Sequence, residues 1–172
     1  MQHKNSYKII IKCMWILVAA ILFMEMGTFL RHEKEIPTVS PGKAAVFYRE
    51  MPDIQPIKKV DATDTYIFFA YHTDAAIAVY SMDGQYQYSL AFHKGSNGTM
   101  EMRCEDNLLY VKDYAGYELI LDGTEVQAVF APKEAEHSTA WFQQKSERVS
   151  CQNGRIYSSD GVCLMDAPGK ME

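Results

Sequence analysis

The chain has 172 residues, of which 48% are hydrophobic, 12% aromatic and 23% charged, with a formal charge of −5. This composition supports a folded core and excludes disorder as the principal state, and the length suits one domain of about 100–150 residues with an appendage. From Arg31 onward 21 acids stand against 14 lysines and arginines, a balance that disfavours phosphate contacts and leaves nucleic acid aside as a partner.

The chain opens on a short tail, residues 1–8, followed by an apolar run over 9–30 that is interrupted only by Lys12 and Glu25. At a rise of 1.5 Å per residue this run reaches about 33 Å as a helix, enough for a hydrocarbon core of about 30 Å. Lys12 can snorkel to the headgroups from its place near one end. The reading is an uncleaved, single-pass signal anchor; a cleaved secretory signal and a buried globular helix are the alternatives, and Glu25-Met26-Gly27 is a poor cleavage site. Lysines and arginines are tied at three on each side, Lys4, Lys8 and Lys12 at the start against Arg31, Lys34 and Lys43 after the run, but the first three come without any acid, whereas Glu33 and Glu35 and an acidic C-terminal domain lie on the other side. With the lysine and arginine count tied, the placement of the acids tips the expectation to a cytoplasmic tail and a C-terminal part outside the cell membrane.

Residues 31–56 contain Pro37, Pro41, Pro52 and Pro56. Proline removes a backbone donor and restricts φ, so no long helix or central strand fits here. The segment is expected as a stem, with Ala44–Arg49 able to form a short element; an irregular flap packed on the domain is the other reading.

Residues 57–172 are expected to form an all-β domain of about ten strands. Tyr66–Tyr71 and Ile77–Met82 are strand-like runs, and Asp83-Gly84 precedes the alternating Q-Y-Q-Y-S-L-A-F. Sliding the chain by 39 positions lays Tyr71 on Tyr110, Asp74 on Asp113, and Asp83-Gly84 on Asp122-Gly123. Both Asp-Gly pairs favour tight hairpins. A third, partial copy follows a shift of 47, with Cys104, Tyr110 and Asp113 on Cys151, Tyr157 and Asp160. The expected architecture is two four-stranded antiparallel meanders plus a partial third. One short helix is inserted over Pro132–Lys145, docked by Trp141 and Phe142, and its early acids and late lysine suit a helix dipole.

The pattern V-Y-x-M-D-G-x-x-x-x-x-L at Val79–Leu90, repeated at a spacing near 40, resembles a β-propeller blade of the NHL-type and related six-bladed families. With one N-terminal helix ahead of it, the chain resembles membrane-anchored proteins of Gram-positive bacteria that carry such blade-like meanders. The resemblance covers residues 57–166 and implies extracytoplasmic binding or scaffolding, with no catalytic set to carry over. Closed propellers need at least four blades, so two and a partial third leave open strand edges, through which a protein partner or a second copy can add.

No metal, cofactor or catalytic constellation is readable. The five histidines lack zinc-site spacing, there is no G-x-S-x-G, and the scattered aspartates are accounted for as turn residues rather than calcium ligands. Beyond the membrane segment lie Cys104, Cys151 and Cys163. Cys151 and Cys163 share a hairpin region and are a candidate disulfide, with small buried thiols as the bland alternative. Tyr86 and Tyr88 share one strand face by alternation and are candidate ligand-facing aromatics, with core packing as the commoner role. Function is therefore expected to be non-enzymatic binding or assembly at the membrane. The alternatives are a subunit of a secreted or membrane-bound enzyme whose site a partner completes, and a truncated propeller relic.

Overall fold

The computed structural model describes residues 36–51, 56–71, 73–96 and 99–171, which belong to one compact unit beginning at Ile36. The expected anchor over 9–30 lies outside the described residues; among the described residues no helix is long and apolar enough to cross a membrane.

The unit is all-β, with antiparallel sheets and one short helix. Its elements are β1 (Ala44–Phe47), β2 (Ile57–Ala62), β3 (Tyr66–Tyr71), β4 (Ala76–Ser81), β5 (Tyr86–Phe92), β6 (Glu101–Glu105), β7 (Leu108–Lys112), β8 (Glu118–Asp122), β9 (Glu125–Phe130), α1 (Thr139–Phe142), β10 (Val149–Gln152), β11 (Arg155–Ser158) and β12 (Cys163–Asp166). They form a five-stranded sheet in the order β1-β5-β4-β3-β2, a four-stranded sheet β6-β7-β8-β9 and a three-stranded sheet β10-β11-β12. Among the described residues there are twelve strands, eleven of them within 57–172, where about ten were expected.

The twelfth strand comes from the proline-spaced segment. Ala44–Phe47 pairs antiparallel with β5, from Ala44 opposite Phe92 to Phe47 opposite Ser89. Val39 and Met51 are buried, and Ser89 Oγ donates to Arg49 O at 2.9 Å. The described residues 36–51 therefore lie packed on the domain.

Burial explains why β3 and β4 read as continuous apolar runs. Phe68, Ala70, Ile77, Val79, Leu90 and Phe92 pack with Met102, Leu109, Val111, Leu119 and Leu121 of the four-stranded sheet. The intervening residues Ile67, Phe69, Tyr71, Ala76, Ala78 and Tyr80 pack with Val149 and Ile156 of the three-stranded sheet. The five-stranded sheet is the middle of three layers. A strand covered on both faces needs apolar side chains at every position, so it loses the period-two signal.

Turn chemistry repeats more faithfully than the sequence shift suggests. Hairpins β6–β7 and β10–β11 turn through Asp106-Asn107 and Asn153-Gly154, all four at positive φ, as two-residue hairpins with the twist of the sheet require. A second turn occurs three times, at Ser81–Gln85, Asp113–Tyr117 and Ser158–Val162. In each, the first residue's N–H donates to the fifth residue's carbonyl at 2.9 Å, and the fourth-position glycine donates back to the first carbonyl. The first side-chain oxygen also accepts the fifth N–H, at 3.2, 2.9 and 3.1 Å. The aspartates do serve turns, but not as paired Asp-Gly hairpins. Asp83 sits in a four-residue loop after β4, whereas Asp122 ends β8 and Gly123-Thr124 makes the turn.

The inserted helix is shorter than expected. Pro132 stands in a turn closed by Glu134 N–H on Ala131 O, and only Thr139–Phe142 is helical, with Ser138 as N-cap. Phe142 is buried, and Trp141 packs edge-on against Tyr110 of β7 with ring centroids 5.3 Å apart. The expected docking residues thus anchor a segment that is mostly irregular.

A candidate binding cleft

The first strand of each meander lies at the edge of its sheet, and β2 runs close to both β6 and β10. Among the described residues no ladder joins these three edges. Side chains do so instead. Asp61, 2% exposed, accepts the Cys104 N–H on Oδ2 and the Ala62 N–H on Oδ1, both at 2.9 Å. Lys58 Nζ donates to Met100 O at 2.8 Å and to Glu101 Oε1 at 3.0 Å.

The linker after α1 then crosses the same region. Lys59 Nζ donates to the carbonyls of Phe142 at 2.5 Å and Gln144 at 3.0 Å. Arg103 Nη1 reaches Trp141 O at 3.1 Å and the Gln144 side chain, while its guanidinium lies 4.5 Å from the centre of the Trp141 ring. Arg148 pairs with Asp64. Between β2, β10 and this linker remains a cleft of about 470 Å³, within the size range of small-ligand sites. Its charged lining consists of Lys58, Lys59, Lys145 and Glu101, a positive balance inside an acidic domain. Burial lowers the Lys59 pKa, opposed by the nearby Asp61 carboxylate and reinforced by Arg103. Burial, with the Asp61 charge added, pushes the Cys104 thiol well above its ordinary value.

Glu118 of the four-stranded sheet and His137 of the 131–145 segment are committed to structure. Glu118 is fully buried; it accepts the His137 backbone N–H at 3.1 Å, and its Oε1 lies 2.5 Å from His137 Nδ1. His137 in turn stacks on Trp141 at 3.9 Å. A buried carboxylate demands such partners, and this one fastens the 131–145 segment to β8. Among the described residues no group of three histidines, cysteines or acids is placed to hold a metal ion.

Two expectations about site residues are corrected. Tyr86 and Tyr88 lie on opposite faces, because Val79 pairs with Tyr88 and Tyr80 with Tyr86, leaving Gln87 as the extra residue of a bulge. Tyr88 is buried between the five- and four-stranded sheets, edge-on to Tyr66. Tyr86 packs on the other face, edge-on to Tyr80, and bonds Ser89 Oγ through its hydroxyl at 3.0 Å. They form no shared platform.

Cys151 and Cys163 are free thiols. They sit on β10 and β12, on either side of β11, opposite the successive residues Ile156 and Tyr157. Two strand spacings amount to about 9–10 Å, beyond the roughly 7 Å between Cα atoms that a disulfide spans. Cys151 lines the cleft and Cys163 is exposed.

Sequence reasoning passed over Lys58 and Lys59. The signal was present, since two adjacent lysines inside I-K-K-V-D-A are unusual for a strand with buried positions on both faces. Comparison of the chain with protein-family models, with curated proteins and with solved structures finds no match.

Proposed function

We propose that this chain is a non-enzymatic, single-pass membrane protein that presents an extracytoplasmic, blade-like β-repeat domain for binding or assembly. The observation that carries this reading is the convergence of β2, β6 and β10, the leading strands of three successive antiparallel meanders, on one cleft. Radially arranged blades bring their leading strands together in this way. The commitment of Glu118, His137, Asp113 and Asp61 to backbone and side-chain bonds favours binding over catalysis. The N-terminal apolar run with its leading lysines supports the membrane attachment.

The test is the accessibility of the exposed Cys163. A membrane-impermeant maleimide should label the protein on intact cells, and Cys163→Ser should remove most of that signal. Labelling that appears only after the membrane is permeabilised would overturn the topology.

A further inference from the structure

We infer that the cleft between β2 and β10 binds the C-terminal end of an extended peptide whose last residue is apolar. The inference rests on the binding role proposed above and names the ligand chemistry. Three features of the cleft point to it.

The first is charge. Lys58, Lys59 and Lys145 line the cleft, and among the described residues of the lining Glu101 is the one carboxylate, paired with Lys58 at 3.0 Å. The two hydrogen bonds of Lys59 go to neutral carbonyls, and Lys145 is exposed. Among the described residues neither has a carboxylate within ion-pair distance, and the lysines outnumber the acids of this partly desolvated lining. A ligand carboxylate would supply the negative charge that this lining lacks, in a charge-assisted contact.

The second is apolar surface. Val60, Phe142, Val149 and Met171 also line the space, which suits a hydrophobic side chain next to that carboxylate.

The third is the direction of the strand edges. Thr63 donates to Tyr66 O, and the β2–β3 register pairs Asp61 with Phe68 and Lys59 with Ala70. Alternation of an antiparallel ladder then turns the backbone groups of Val60 away from β3. In the same way the two-residue hairpin closed by Gln152 and Arg155 turns the backbone of Val149 and Cys151 away from β11. The outward Val149 N–H is taken by Ser146 Oγ at 3.2 Å. The edges of Val60 and Cys151 thus flank the cleft with main-chain donors and acceptors, the partners an extended peptide uses in strand addition. A fatty carboxylate offers the charge and the apolar chain but no groups for these edges.

The experiment is calorimetric titration of the full chain in detergent micelles with N-acetyl-Ala-Val-Leu as the free acid, with a micelle-only blank. The expected dissociation constant is on the order of 0.1–1 mM for so small a probe. The C-terminal amide should bind about tenfold more weakly, as should the free acid to Lys59→Met. Lys59 also holds the linker, so Lys145→Glu, at an exposed position, is the variant that leaves the fold untouched; it should weaken the acid and leave the amide unchanged. Equal affinity of acid and amide, or no binding of the acid at about 10 mM, would overturn the inference. Hexanoate binding as tightly as the peptide would overturn it too, since the strand edges would then contribute nothing. Maleimide labelling of intact cells reports topology independently, so a failed titration with successful labelling removes this inference alone.

Discussion

Removing the Asp113 carboxylate is the sharpest test of how the N-terminal segment is held. Asp113 is 2% exposed and its carboxylate accepts three backbone N–H groups at 2.9 Å: Ala115 and Tyr117 on Oδ1, and Gly42 on Oδ2. The first two shape the β7–β8 turn, and the third ties that turn to a residue 71 positions earlier in the chain. Each hydrogen bond to a charged group contributes about 1.5–3 kcal/mol net, and a donor left unsatisfied adds its desolvation cost. Ala115 is exposed and can recover a water, so the loss falls mainly on Gly42 and Tyr117. Asp113→Ala should therefore destabilise by about 3 kcal/mol. For a unit of about 140 residues, an unfolding entropy of about 2.1 cal/mol/K per residue converts this into a Tm lower by about 10 °C. Asp113→Asn keeps one good acceptor but turns an amide N–H₂ toward a backbone donor, and should cost about half as much. The assay is thermal unfolding followed by circular dichroism, together with tryptic cleavage at Lys43 and Arg49, which should accelerate as β1 loosens from β5. A Tm within about 2 °C of the parent, with unchanged cleavage, would refute the assignment of Asp113 as the fastener.

Further tests concern the other layers. Glu118→Ala removes the acceptor of the His137 N–H and imidazole and should cost about 1.5–3 kcal/mol, with faster tryptic cutting at Lys133 and Lys145; stability and cleavage matching the parent would show that the 131–145 segment is held by its aromatic contacts alone. Gly84→Ala combines a φ of +83° with a Cβ 2.9 Å from Met165 Cβ, and should cost about 1–3 kcal/mol by straining the turn and pushing β12 away; chemical denaturation with an unchanged midpoint would contradict that approach. Burial, and for Tyr80 a hydrogen bond to Glu50, raise the Tyr80 and Tyr88 phenols above their ordinary value of 10.0. The folded state then holds these protons more tightly than the unfolded state, so their stabilisation is complete below pH 10 and is lost as pH rises beyond it. Absorbance at 295 nm should show these phenols ionising together with alkaline unfolding, and their titration in the folded protein near pH 10 would refute the burial. At pH 8 alkylation should modify exposed Cys163 first and Cys104 last, because the Cys104 thiol is raised by burial and by Asp61; comparable rates by mass spectrometry would contradict this.

Local chemistry determined much of the fold by itself. The pairs Asp106-Asn107 and Asn153-Gly154 tolerate positive φ, so strand, tight turn and strand were legible in C-E-D-N-L-L-Y and C-Q-N-G-R-I-Y, and with them the third meander. Prolines at 37 and 41 kept the N-terminal segment irregular and left Ala44–Phe47 as the one strand among its described residues. Tertiary structure decided everything that depends on what lies opposite a residue. The bulge at Gln87 is set by pairing with β4, and it sends Tyr86 and Tyr88 to different cores although their spacing puts them on one face. Glu118 reads as an ordinary strand acid until the fold closes over it and His137 arrives from 19 residues away. Lys58 and Lys59 stand out as adjacent charges in I-K-K-V-D-A, but only the approach of β6, β10 and the linker turns them into the lining of a cleft. Hydrogen bonding along the chain and φ preferences act within a few residues and are written locally, whereas desolvation and charge pairing depend on neighbours that the chain acquires only on folding.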